Sequence, residues 1–261
     1  MAESTSGSAP ITRLYAWFSA LISEDYALLE DLITHGLPID VPHPLRHTTA
    51  LMEATRLGRT TLVSWLLGRG AAPVFLSGIP RGTPLHCAIK RQHWDIAESL
   101  LGAAQHGGVV DAYSRTPLHT LCMDLPEGHA HLHRSLIIAQ RLLNKGCHTD
   151  ALDHEGIAAL HYCVIHDCMP MAHLLLEQRA NPNILTPDTG VSPLMIAALE
   201  KNRELAELLL AYGANPQLAT KEGTTPLNVM PALRRMSTPR PRTSAPAPMK
   251  GTPASSRRAL N

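Results

Sequence analysis

Four residues occur twice, 33 positions apart: Thr83-Pro84-Leu85-His86 and Thr116-Pro117-Leu118-His119. A word of that length at that spacing marks an internal repeat, and a repeat overrides any domain count read from length alone. Weaker copies begin at Thr49, Ala158, Ser192 and Thr225, so the steps along the chain are 34, 33, 42, 34 and 33. One step is nine residues too long. A second feature keeps the same beat. Paired leucines stand at 66–67, 100–101, 142–143, 175–176 and 209–210, and Gly70, Gly146 and Gly213 follow three of them closely.

Each copy reads as turn, helix, turn, helix, loop. Thr before Pro is a helix N-cap followed by a proline at the first helical position. Leu and a small residue then face inward, as with Leu51 and Ala54 or Leu85 and Ala88. The leucine pair carries a second helix, and Gly ends it in a left-handed conformation. Neither helix buries its apolar stripe alone, so neighbouring copies must stack. An opening copy begins near Tyr15 and presents Trp17, Phe18, Leu21 and Ile22. The last copy contains Pro231, which stops its first helix early.

The period, and the run Thr83-Pro84-Leu85-His86-Cys87-Ala88 above all, resemble the ankyrin repeat, whose period is about 33 residues. The resemblance covers about residues 12–233. It implies an all-α fold, an ankyrin-repeat solenoid of about six to seven stacked helix-turn-helix repeats with short hairpin-like loops. On this reading 1–11 is a flexible leader and 12–45 an N-terminal capping repeat. Residues 46–233 form the array, with an inserted loop at 123–133, and 234–261 is a disordered basic Pro/Ser-rich tail.

Composition agrees with thin layers of small helices. Aromatic residues make up only 4%, too few for a large barrel or sandwich core. The net charge of +1 hides a split: residues 1–222 hold 16 basic and 22 acidic side chains, residues 223–261 seven basic and none acidic. Five cysteines, an odd number, imply no disulfide framework and fit a reducing compartment. No secretory signal or membrane-spanning stretch is evident, so a cytoplasmic or nuclear location is expected.

Catalytic signatures are absent. There is no phosphate-binding Gly-rich loop with Lys, no His-Glu-x-x-His and no Gly-x-Ser-x-Gly. Cys163 with His166 makes a poor nucleophile pair, because Cys163 falls on a core position. The resemblance gives His86, His119 and His161 a structural task, bonding locally and linking adjacent copies. His129, His131 and His133 alternate in the insertion. On an extended loop they would share one side, which makes them the metal candidates, although their spacing matches no standard site. No cofactor is expected.

What the resemblance implies instead is partner binding on the concave side, where turn tips and first-helix ends are displayed. Register places Arg46, Tyr113, Arg115 and Glu155 on the turns, and Arg56, Lys90, Arg91, His166 and Glu200 at the helix ends. Arg and Tyr are common interface anchors. The N-terminal half of this face is basic, which favours a protein partner with an acidic segment. The chain is expected to be a monomer; the tail offers a second contact for an adaptor or scaffold role in a ubiquitin ligase or nuclear complex. Specific nucleic-acid binding is not expected, because the tail's charges are dispersed and lack aromatic interleaving.

Overall fold

The computed structural model describes residues 9–73, 82–124 and 129–236. Among them the helices form seven consecutive pairs: α1 (Ala9–Ser23) with α2 (Tyr26–Thr34), α3 (Ala50–Arg56) with α4 (Thr60–Gly68), α5 (Pro84–Lys90) with α6 (Trp94–Ala103), and α7 (Pro117–Met123) with α8 (His129–Asn144). Then come α9 (Ala159–Ile165) with α10 (Met169–Glu177), α11 (Pro193–Leu199) with α12 (Arg203–Ala211), and α13 (Pro226–Val229) with α14 (Leu233–Met236). First helices contact first helices down one layer, and second helices do the same down the other. The described residues contain no strand beyond an isolated bridge between Leu152 and Ala158.

The helices start where side-chain chemistry permits. Hydroxyls of Thr49, Thr83, Thr116, Ser192 and Thr225 accept from backbone N–H groups three residues ahead. Ala158 has no such oxygen, and its copy relies on the His161 ring, whose Nδ1 accepts from the Ala158 N–H at 3.2 Å. Leu51, Leu118, Leu160 and Leu194 of the first layer are fully buried, as are Leu66, Leu100, Leu142, Leu175 and Leu209 of the second. Each such leucine contributes about 1.5–3 kcal/mol of burial.

Adjacent repeats are also tied by polar bonds. The Nδ1 atoms of His86 and His119 accept from the N–H of Thr83 and Thr116. That leaves Nε2–H to donate across the stack: His86 to the Arg115 carbonyl at 2.9 Å, His119 to Ile157 at 3.1 Å and His161 to Val191 at 3.2 Å. Burial pushes all three rings below the ordinary histidine pKa, His86 to about 4. They stay neutral, as a one-donor, one-acceptor role demands.

Three boundaries differ from the sequence reading. Helix α1 begins at Ala9, inside the expected leader of 1–11. Within it Trp17, Phe18 and Leu21 are buried, whereas Ile22 is exposed. The expected loop at 123–133 is helical at both ends: Met123 closes α7 and His129 opens α8. Its apolar stripe of Leu132, Leu136, Ala139 and Leu143 runs at helical spacing into the insertion, so the helix extends backwards. At the other end α14 crosses the boundary expected at 233, reaching Met236; the rest of the expected tail lies outside the described residues.

Candidate functional site

A groove of about 770 Å³ opens across three consecutive first helices. Met52 and Arg56 reach it from α3, Cys87, Lys90 and Arg91 from the end of α5, and Thr120, Met123 and Asp124 from α7. The turn before α7 adds Asp111, Tyr113 and Arg115. Five of the nine residues placed on the concave face by register therefore line one cavity: Arg56, Lys90, Arg91, Tyr113 and Arg115. Arg46 stands beside it, 3.6 Å from Glu53. Glu155, His166 and Glu200 are exposed further along and do not line this groove.

Two buried carboxylates organise the cations. Glu53 receives Arg56 Nε at 3.0 Å and Nη2 at 2.8 Å, and the Thr48 hydroxyl at 2.8 Å. Burial pushes the Glu53 carboxyl up, but Arg56 and Thr48 outweigh that and hold it below its ordinary value. Asp111 does the same work on the turn. Its Oδ1 accepts from the N–H groups of Tyr113 and Arg115, and its Oδ2 receives the Arg115 guanidinium at 2.7 and 2.9 Å. Burial again raises this carboxyl, and the Arg115 bonds more than reverse the effect. The Arg115 guanidinium also lies 4.7 Å from the centre of the Tyr113 ring, with the His154 ring 5.1 Å away on the same tyrosine.

Sequence reasoning missed both carboxylates. Glu53 stands three residues before Arg56 on one helix, a spacing that brings opposite charges together, whereas Asp111 meets Arg115 across a turn that its own carboxylate closes. The consequence is that the basic character expected of this half is partly cancelled. Lys90 and Arg91 are exposed and have no carboxylate partner among the described residues; Arg91 instead reaches the Cys87 thiol.

Of the metal candidates, His131 and His133 do not converge. His131 and His133 sit on α8, where two residues of separation turn side chains roughly 200° apart. His131 accepts from the Trp94 indole N–H at 3.1 Å, while His133 borders an outer cleft of about 280 Å³ with His173 and Glu177. His129 is the first residue of that helix. Among the described residues no three His, Cys, Asp or Glu side chains are grouped to hold a metal ion. Cys163 is completely buried, its sulfur 3.3 Å from that of Cys122, and burial drives its thiol well above the ordinary value. That environment opposes a thiolate nucleophile.

The stack and its lined concave groove define a helical repeat scaffold for protein–protein interaction. Residues 16–111, 51–137 and 129–220 match the family described as Ankyrin repeats (3 copies), and the chain belongs to the ankyrin repeat family. It is similar to the B-cell lymphoma 3 protein homolog of Mus musculus, 29% identical over 152 residues, 57% of this chain and 32% of that protein. It also resembles the nuclear factor NF-kappa-B p105 subunit of Gallus gallus, 28% identical over 56% of this chain and 14% of that one. The human ankyrin repeat and SOCS box protein 16 is 31% identical over 56% of this chain and 30% of its own length. The chain thus spans a third or less of these curated relatives. The crystal structure of the ankyrin repeat domain of Bcl-3 superposes with a TM-score of 0.60 at 25% identity, covering 71% of this chain and 83% of that one.

Proposed function

We propose that the chain binds a partner protein through its concave face, with the groove around Lys90, Arg91 and Tyr113 as the main contact. The observation that carries this is the combination of a 770 Å³ groove with arginines held in place by buried carboxylates. Side chains fixed before binding lose less freedom on binding, which raises affinity for a given contact area. Arg46, Glu155, His166 and Glu200 extend the face on either side. Positive charge exceeds negative in and beside the groove, four cations against the carboxylates of Glu53, Asp111 and Asp124, which favours an acidic segment in the partner. The location consistent with this role is cytoplasmic or nuclear. Among the described residues, no helix is long and apolar enough to cross a membrane.

The structure changes which variant should test the proposal. Reversing Arg56 would set a second carboxylate against buried Glu53, and loss of binding would then be confounded with loss of fold. Lys90 and Arg91 are exposed and carry no such partner. Proximity labelling in cells, native chain against Lys90→Glu/Arg91→Glu, should show the specific labelled partners disappear while the far-ultraviolet circular dichroism is unchanged. Retention of the same partners by the variant would refute the concave reading. An adaptor role using 234–261 as a second contact predicts a different loss, of some partners only, when that segment is deleted.

A further inference from the structure

The groove is not uniformly basic once its internal pairs are removed. Arg56 is committed to Glu53 and Arg115 to Asp111. What remains unpaired is a cation pair, Lys90 and Arg91, and one carboxylate, Asp124, for which no described cation is a partner. These residues are in strict register. Arg91 stands eight residues after Thr83, and Asp124 eight after Thr116. Lys90 and Met123 stand seven after the same two positions. The same two steps of the groove thus present plus over plus, then thioether beside minus.

Geometry turns this into a ruler. Neighbouring helices in such a layer pack about 8–10 Å apart. An extended chain rises about 3.3 Å per residue, so one repeat step equals about three residues. Alongside the charged points the groove is lined by Met123, the half-buried Cys87 and the Tyr113 ring, soft surfaces that accept varied side chains.

From this we infer that the groove reads an extended segment of the partner in which an acidic residue and a basic residue stand about three positions apart, with apolar side chains between them. The carboxylate meets Lys90 and Arg91, and the basic group meets Asp124. Arg56 and Arg115 shape the walls without reading charge. This inference rests on the concave-face reading above and narrows it to a chemistry.

The test uses the full chain and fluorescein-labelled degenerate peptides, followed by anisotropy at low salt. One pool carries Glu and Lys at the two ends of a four-residue core, in both orders, with Leu, Phe or Met between. Control pools carry Lys at both ends, Glu at both ends, or phosphoserine in place of Glu. The Glu/Lys pool should bind about tenfold tighter than either like-charged pool, a difference of about 1.4 kcal/mol. Lys90→Glu/Arg91→Glu should remove that binding, and Asp124→Lys should shift preference to the pool with Glu at both ends. Equal binding of all pools, native-like binding by the Lys90/Arg91 variant, or binding of the phosphoserine pool without the Glu pool would each overturn the inference. If the pools fail while the same variant still loses its labelled partners in cells, the motif falls and the concave reading stands.

Discussion

The two ends of the concave face are built from equivalent positions and come out differently. Seven residues into each copy stand Arg56, Lys90 and Met123 in the N-terminal half, then Ile165 and Leu199 in the C-terminal half. The latter two are 48% and 54% exposed and border neither described cavity. Turn chemistry diverges in parallel. Asp111 anchors its turn with a carboxylate that also holds Arg115, whereas the last turn is closed by the Thr220 hydroxyl on the Thr224 N–H. The lesson is that one backbone plan supports a pre-shaped polar groove at one end and a plainer surface at the other. The difference lies in a few side chains that the repeat pattern itself does not specify.

The largest expected break in this comparison comes from acid. His86, His119 and His161 tie the third to the sixth repeats, while Met52 occupies the same position before them and Met195 and Asn228 after them. A ring held at about 4 when folded and 6.5 when unfolded binds fewer protons folded throughout that window. Stability from His86 is therefore complete above pH 6.5 and is lost as pH falls towards 4, by about 3 kcal/mol. Urea denaturation at pH 7 and pH 4.5 should show this fall. His86→Asn should reduce it, leaving the share of His119 and His161, and should keep the cap, because Asn228 already makes the same one with its Oδ1 on the Thr225 N–H.

Removal of one anchor comes next. Asp111→Ala deletes bonds to two backbone N–H groups and strands the Arg115 guanidinium, at a cost of about 2–3 kcal/mol. Thr220→Ala at the plainer end should cost about 1 kcal/mol. Thermal or urea unfolding of the two variants measures the gap, and equal losses would erase the contrast drawn between the turns. Smaller again is the effect on binding. Lys90→Glu/Arg91→Glu should weaken the captured partner about tenfold or more. His166→Ala and Glu200→Ala should change it by about twofold or less, since most interface positions contribute little. Titration calorimetry with that partner, at two salt concentrations, would show which half the affinity belongs to.

How legible all this was depends on what repeats. The caps and the buried leucines recur, so the words at Thr83 and Thr116 predict them along the stack, and the histidine returns in the one copy that follows. Placement was legible as far as register reaches: it put Arg56, Lys90, Arg91, Tyr113 and Arg115 on one side of the stack, and they line one groove. Features occurring in single copies were harder. Glu53 sits at a position the other copies fill differently, and Asp111 shares its position with Asp153 alone, so little beyond their spacing to Arg56 and Arg115 hinted at pairing. The insertion misled for a related reason. Alternating histidines suit a strand-like loop, but the competing stripe from Leu132 onward follows the helical period and wins through burial against α6 and α7.

The histidine ties also determine how the molecule yields to tension. Three histidine bonds cross from one repeat to the next, running from His86 to the Val191 carbonyl. Met52 before them and Met195 after them sit where a ring would be, so the outer repeats on both sides lack this bond. Pulled by its two ends, the chain should yield at its outer repeats first, in low-force steps, and resist at the stretch between His86 and Val191. A partner seated on the groove spans the edge of that stretch, with α3 outside it and α5 and α7 within.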